Sequence, residues 1–325
     1  MNQQIQALRG IAILAVVIIH TYPANGLSGI VIRSITNFAV AMFIFLSGLL
    51  TPIEKVSNYE ELTKHRILKV IIPYVLWSLL CTIAKGSYDT FIIDFLTANC
   101  NSIYYFIFVY IQLVLLTPIL YRLLHSKFKD LGWFISIISV ILFNYLPIII
   151  MNKPLGFPFP GTICLPWLGY YYLGLSLTEH KNTGETDFGV IFSNRAWISC
   201  LLFVIILEII EGLLWLNKNY DMATTQLKLS SMAFAFVFIM ICYKYYIYRN
   251  NIFGNISLNN CLISLGNYSF FIYLFHILVR EALERTQLVS INIFPINSLI
   301  VLTVSYFVGY FTKRIMKKYS WIVGL

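Results

Sequence analysis

The sequence predicts an all-α, polytopic integral membrane helix bundle of about ten transmembrane helices, with both termini cytoplasmic. Three observations carry this reading. Only 11% of the 325 residues are charged and 59% are hydrophobic, whereas a soluble domain needs about 25% charged residues to coat its surface. Apolar runs near ~20 residues recur from end to end, each long enough to cross a hydrocarbon core of roughly 30 Å. The runs are solidly apolar rather than alternating, which selects helices over a closed barrel, the other fold that satisfies its own backbone in lipid.

The spans are placed at about 5–22, 30–50, 68–85, 102–121, 131–151, 163–178, 196–216, 227–247, 261–279 and 293–312. With the N-terminus inside, the cytoplasmic side holds Arg9, Lys55, Lys64, Arg66, Lys69, Arg122, Lys127, Lys129, Lys181, Arg195, Lys244, Arg249, Lys313, Arg314, Lys317 and Lys318, which are 16 of the 23 Lys and Arg residues. The other side holds Arg33, Lys85, Lys153, Lys218, Lys228, Arg280 and Arg285. This asymmetry sets the orientation and favours an even span count. It also accounts for the net charge of +9 without a nucleic-acid partner. The six cysteines are scattered, so neither a disulfide framework nor a metal site is expected. The N-terminus lacks a basic n-region and a small-residue cleavage site, so the first helix is expected to stay as a span. Residues 1–325 are expected to form a single membrane domain with no soluble appended domain. The longest internal loops fall at about 51–67 and 179–195. The outer segment NKPLGFPFPGT at 152–162 reads as a shaped turn. No internal repeat and no matched pair of interrupted helices, as many transporters show, is visible.

Four segments carry polar groups where lipid makes them costly. In the first span, Arg9 and His20 are 11 steps apart, which returns to within roughly 20° of the same face with a rise of about 16 Å. One stripe thus presents a guanidinium at the inner end and an imidazole at the outer end, the guanidinium being a group that usually faces a protein interior or a water-filled cavity. Snorkelling to the two interfaces is the bland alternative. In FAVAMFIFLSGLL, at 38–50, Ser47 and Gly48 read first as a close helix contact and only second as a catalytic serine, since no base or elbow motif surrounds Ser47. In KHRILKVIIPYVLW, at 64–77, Arg66 and Lys69 share a helix face as a positive-inside anchor or as a grip for phosphates. In ISLGNYSFFIYLFHILVRE, at 263–281, His276 falls at the same outer depth as His20, a plausible acid–base pair. Glu208 and Glu211 share one face of the seventh span and can pair with Arg33 or Arg280 or line an acceptor cleft. The tyrosines at 170–172 and 243–248 read as interfacial belts.

In this order and spacing the segments resemble the membrane acyltransferase family 3, whose members move acyl groups from coenzyme A onto extracytoplasmic acceptors. The resemblance rests on Arg9 and His20, on FIFLSGLL, on Arg66, Lys69, Pro73 and Tyr74, and on the helix ending at His276, and it runs through essentially the whole chain. It implies an O-acyltransferase, most readily an O-acetyltransferase, with acetyl-CoA as donor and no metal, in a bacterial cell membrane. The acceptor would be a cell-surface or lipid-linked polysaccharide, membrane lipids would surround the protein, and a homo-oligomer is a further option. His20 and His276 would be catalytic, with His20 acting as general base or transiently taking the acyl group. Arg66, Lys69 and Arg9 would hold the donor's phosphates, and Arg33, Glu208 and Glu211 would face the acceptor. The basic pair departs from the family's more usual two arginines, and the soluble extension of some relatives is missing. A transporter or flippase for a lipid-linked glycan is the main alternative, and without the resemblance the two stand level. A glycan polymerase would be expected to carry a larger outer loop.

Overall fold

The computed structural model describes residues 3–23, 25–52, 59–156, 158–183, 193–248, 256–286 and 293–325. Lys55 and Arg249, counted above in the charge asymmetry, lie outside them, as do parts of both long internal loops. The described residues are helical and fall into two compact units, Met1–Phe43 with Glu185–Ile315 and Ile44–Gly184 with Met316–Leu325. Among the described residues, eight helices are long and apolar enough to cross a membrane, and nine if a sharply bent pair counts as one span. The protein is an all-α multi-pass membrane protein. Its helices expose apolar side chains that water would penalise and lipid accepts, such as Ile198, Leu202, Phe203 and Ile206 on one helix and Leu299, Phe307, Phe311 and Ile315 on another.

The first unit contains α1 (Gln3–Thr21), α2 (Gly26–Thr36), the start of α3 (Phe38–Leu49), α10 (Asn194–Leu216), α11 (Tyr220–Thr224), α12 (Leu229–Cys242), α13 (Ile256–Asn267), α14 (Ser269–Arg285) and α15 (Ile296–Met316). Helix α1 packs backbone to backbone on α13. A Cβ on Gly10 would lie 2.1 Å from the Leu262 carbonyl oxygen, and one on Gly266 would lie 1.9 Å from that of Gln6. Only glycine permits this approach, the device by which helices associate closely in membranes. The predicted ninth span is not one rod. Helices α13 and α14 meet at 78° around Tyr268, because α13 is held flat against α1 while the Tyr268 ring packs against Tyr306 and Tyr310 of α15 at 5.1 and 6.5 Å.

The second unit contains the rest of α3, then α4 (Tyr59–Lys85), α5 (Phe91–Leu96), α6 (Tyr105–Leu124), α7 (Leu131–Val140), α8 (Leu146–Met151), α9 (Leu168–Thr183) and a terminal turn, Lys317–Val323. The segment predicted as the sixth span is α9, which has 16 residues and is shorter than the eight long helices. Its tyrosines are not an interfacial belt: Tyr171 and Tyr172 are fully buried and Tyr170 nearly so. The reason is again close helix contact, with Gly48 of α3 against the Tyr171 backbone and Gly132 of α7 against the Tyr172 ring. Gly48 therefore serves packing. Gln112 of α6 braces the turn before α9 by donating to Thr162 O (2.6 Å) and accepting from Cys164 N (3.2 Å).

Candidate functional site

In the first unit the site grows from the C-terminal end of α1. The helix runs unbroken from Gln3 to Thr21, so Arg9 and His20 keep the shared stripe and the rise of about 16 Å that the spacing dictates. Both side chains are half-buried. The last carbonyls of a helix have no partner within it, and here neighbouring helices supply them. Arg280 Nη1 of α14 donates to His20 O at 3.2 Å, and Asn297 Nδ2 of α15 donates to Thr21 O at 2.6 Å. The Thr21 and Ser298 hydroxyls add a bond of 2.6 Å. Two neighbouring helices, α14 and α15, thus fix the turn that carries His20.

His276 stands beside it. The two imidazole rings have centroids 5.3 Å apart and are tilted by 50°. His276 is fully buried, and its Nδ1 lies 3.0 and 2.9 Å from the carbonyl oxygens of Ile272 and Tyr273. Nδ1 facing two acceptors must carry the proton, so a neutral ring presents a lone pair at Nε2. That Nε2 has no hydrogen-bond partner among the described residues. Buried polar atoms are normally satisfied, so an open acceptor beside a second imidazole is what a bound hydroxyl would use. The matching depth predicted for the two histidines becomes direct adjacency. The backbone bond from Arg280 was not anticipated, although its place four residues after His276 puts both on one helix face.

The two glutamates have a different setting. Glu208 is fully buried, and its Oε1 accepts from Asn37 Nδ2 (2.8 Å) and Ser231 Oγ (2.6 Å) and lies 3.7 Å from Lys228 Nζ. Lys228, counted on the outer side at the start of the eighth span, is fully buried as well and also donates to Ala223 O at 2.8 Å. A lysine just before a span reads as a snorkelling charge; the carboxylate on α10 draws it inward instead. Glu211 Oε2 accepts from Ser230 N at 3.0 Å, a carboxylate at the start of α12 where helix N–H groups are otherwise unpaired. Arg280, one of the two partners weighed for these carboxylates, binds His20 O and pairs with Glu284 at 3.2 Å. Arg33 is half-buried in the last turn of α2 and lies within electrostatic reach of His20 and Lys228.

In the second unit Arg66 of α4 reaches the end of α3. Its Nη2 donates to Ser47 O (3.2 Å) and Ser47 Oγ (2.9 Å), its Nη1 to Thr51 Oγ1 (2.9 Å) and Tyr171 OH (3.5 Å), and its Nε to Tyr110 OH (3.4 Å). Lys69, one turn on, is exposed.

A family model described as an acyltransferase domain (Acyl_transf_3) matches residues 2–314, nearly the whole chain. The chain belongs to this acyltransferase family. Its similarity extends to three Staphylococcus aureus proteins, each named probable poly-beta-1,6-N-acetyl-D-glucosamine export protein. The one from strain MRSA252 is 25% identical over 293 residues, covering 84% of this chain and 77% of the relative. Those from strains MW2 and N315 are 24% identical over the same length and shares. No solved structure matches the chain. Within the acyltransferase family, Arg9, His20, Arg66 and His276 stand in the motifs that carried the resemblance.

Proposed function

We propose that this protein is a membrane O-acyltransferase, most simply an O-acetyltransferase, that moves an acyl group from cytoplasmic acetyl-CoA to a hydroxyl of a cell-surface or lipid-linked glycan. The observation that supports it most is the pair of adjacent imidazoles, one of them with a buried Nε2 that has no hydrogen-bond partner among the described residues. His20 removes the proton from the acceptor hydroxyl, and the oxygen attacks the thioester carbonyl. The C–S bond then breaks, and the departing thiolate takes the proton back from the His20 imidazolium, giving an ester and free coenzyme A. His276 orients the hydroxyl or the His20 ring through Nε2, while its Nδ1–H is spent on the backbone. Arg280 and Asn297 act as positioning residues, since they hold the end of α1 and touch no reacting atom. Arg9, low on the same stripe, lies towards the donor side.

Export of a polysaccharide is the second reading, and the printed name of the Staphylococcus aureus relatives favours it. One comparison separates the two. Surface glycan is collected from cells carrying the wild-type gene, no gene, or His20→Ala at equal membrane abundance, and both its mass and its total amount are measured. Acyl transfer predicts a loss of one acyl unit per modified repeat with the amount of polymer kept. Loss of polymer with unaltered mass would favour export and sink the acyltransferase proposal.

A further inference from the structure

We infer that the cavity between the first turns of α4 and α6 binds one phospholipid whose head group carries both a phosphate and a primary ammonium.

The cavity measures about 370 Å³ and lies within the second unit, in the size range of ligand pockets. Along α4 its lining passes from Glu60 and Lys64, with Tyr59 beside them, through Thr63 to Ile67 and Leu68; Leu115 of α6 forms the opposite wall. Leu68 and Leu115 are 42% and 54% exposed, so the cavity opens sideways onto the surface that lipid covers. Helix α4 has 27 residues, which makes it about 40 Å long against a hydrocarbon core of roughly 30 Å. Its charged first turns therefore reach a head-group layer. On the orientation that the charge asymmetry favours, that layer is the inner one. Over about three turns the lining changes from charged to hydroxyl to apolar. A phospholipid changes in the same order, from head group to ester to chains.

Two further observations select the ligand. Thr63 is only 8% exposed, and its Oγ1 has no hydrogen-bond partner among the described residues. The hydroxyl of Tyr59, one turn before, donates to Val114 O of α6. Arg66, one turn after, is taken up by Ser47, Thr51, Tyr110 and Tyr171. Buried hydroxyls are normally satisfied, and Thr63 stands where an ester carbonyl would accept. The charges then decide the head group. Glu60 and Lys64 are exposed and four residues apart, and no ion pair joins them among the described residues. Cations alone would favour an anionic lipid, but here a carboxylate flanks the lysine at the cavity and Glu61 is exposed beside it. A phosphate answers Lys64 and an ammonium answers Glu60 within one head group. Phosphatidylglycerol lacks the cation, and the quaternary ammonium of phosphatidylcholine has no N–H to donate.

The test gives the full-length protein in detergent an equal mixture of phosphatidylethanolamine, phosphatidylglycerol and phosphatidylcholine with matched chains. Lipids retained by the intact protein are counted by native mass spectrometry. Wild type should keep phosphatidylethanolamine over either competitor by about fivefold, the scale of one exposed ion pair. Glu60→Gln should erase the preference over phosphatidylglycerol and leave total retention unchanged. Lys64→Gln should lower retention of all three lipids, since the phosphate is common to them. Thr63→Val should also lower all three and keep their order, and Leu115→Trp, which fills the cavity, should abolish retention. Lys127→Gln, outside the cavity, should alter nothing. Phosphoethanolamine, the head group without chains, should not displace the lipid. Equal retention of the three lipids by wild type, an undiminished preference in Glu60→Gln, or displacement by phosphoethanolamine would overturn the inference.

Discussion

The end of α1 and the end of α3 are both polar points in an apolar protein, and they are finished differently. At the end of α3 every nitrogen of Arg66 has an acceptor, and the acceptors bond to one another. At the end of α1 the backbone is equally well finished, by Arg280 and Asn297, but the imidazole pair is not, since His276 Nε2 is buried without a partner among the described residues. Saturated polar networks rigidify a fold, whereas an unsatisfied buried atom calls for a reason outside packing. The first centre is closed on itself; the second leaves one buried acceptor open on a fixed frame, which is where the proposed chemistry would act. Glu208 and Lys228 form a third arrangement, a buried pair whose charges answer each other.

This contrast can be broken at several points. The largest effect should come from the histidines. His20→Ala or His276→Ala should lower acyl transfer by about 100- to 10,000-fold, and the double variant should lose little more than the worse single one, because the two act as a unit. The unfolding temperature should hardly move for half-buried His20→Ala and should fall for His276→Ala, whose ring is fully buried, and a double variant whose losses in activity multiply would show that the rings act separately. The Glu208–Lys228 pair should show the opposite pattern. Lys228→Met leaves a buried carboxylate uncompensated and should cost about 3–5 kcal/mol, read from detergent-titrated unfolding. Adding Glu208→Gln should recover most of that.

Smaller effects test the packing. Gly266→Ala pushes a methyl group to 1.9 Å from Gln6 O and should destabilise by about 1–3 kcal/mol, while Gly161→Ala, whose nearest contact is 3.6 Å, should be neutral. The smallest effect is electrostatic. His125, beyond the end of α6, is held above its ordinary imidazole value by its bond to the Tyr121 carbonyl and by Glu179 at 3.1 Å. A raised folded value means that the stabilisation is present in full below the ordinary value near ~6.5 and fades as pH rises through the raised one. Half the His125 side chain is exposed, so the effect should stay below about 1 kcal/mol. His125→Gln should flatten this part of the pH dependence of the unfolding temperature, and an unaltered slope would remove the pair from the account.

Much of this was legible in the sequence because lipid simplifies the rules. Long apolar runs in a membrane can only be helices, and Arg9 and His20 share a stripe because α1 is straight. The rest depended on partners distant in the chain. Gly10 and Gly266 are ordinary residues until α1 and α13 touch. Lys228 looks like an outer charge at the start of a span until Glu208 lies opposite, and Tyr171 and Tyr172 look interfacial until Gly48 and Gly132 close over them. The bend at Tyr268 falls in Gly266-Asn267-Tyr268-Ser269, a turn-prone stretch that the span 261–279 runs straight through and that contains no proline to mark it. The depth of His276 followed from counting residues, whereas its contact with His20 followed from the bend and the close packing together.

The claim that the paired histidines are where the acyl group is transferred is tested most directly by label transfer. Purified protein in liposomes is given acetyl-CoA carrying a labelled acetyl group and a glycan acceptor, and label in the glycan is counted for wild type, His20→Ala and His276→Ala. The account predicts steady labelling by wild type and labelling near background for both variants, each assayed well below its own unfolding temperature. Labelling at the wild-type rate by either variant would contradict it.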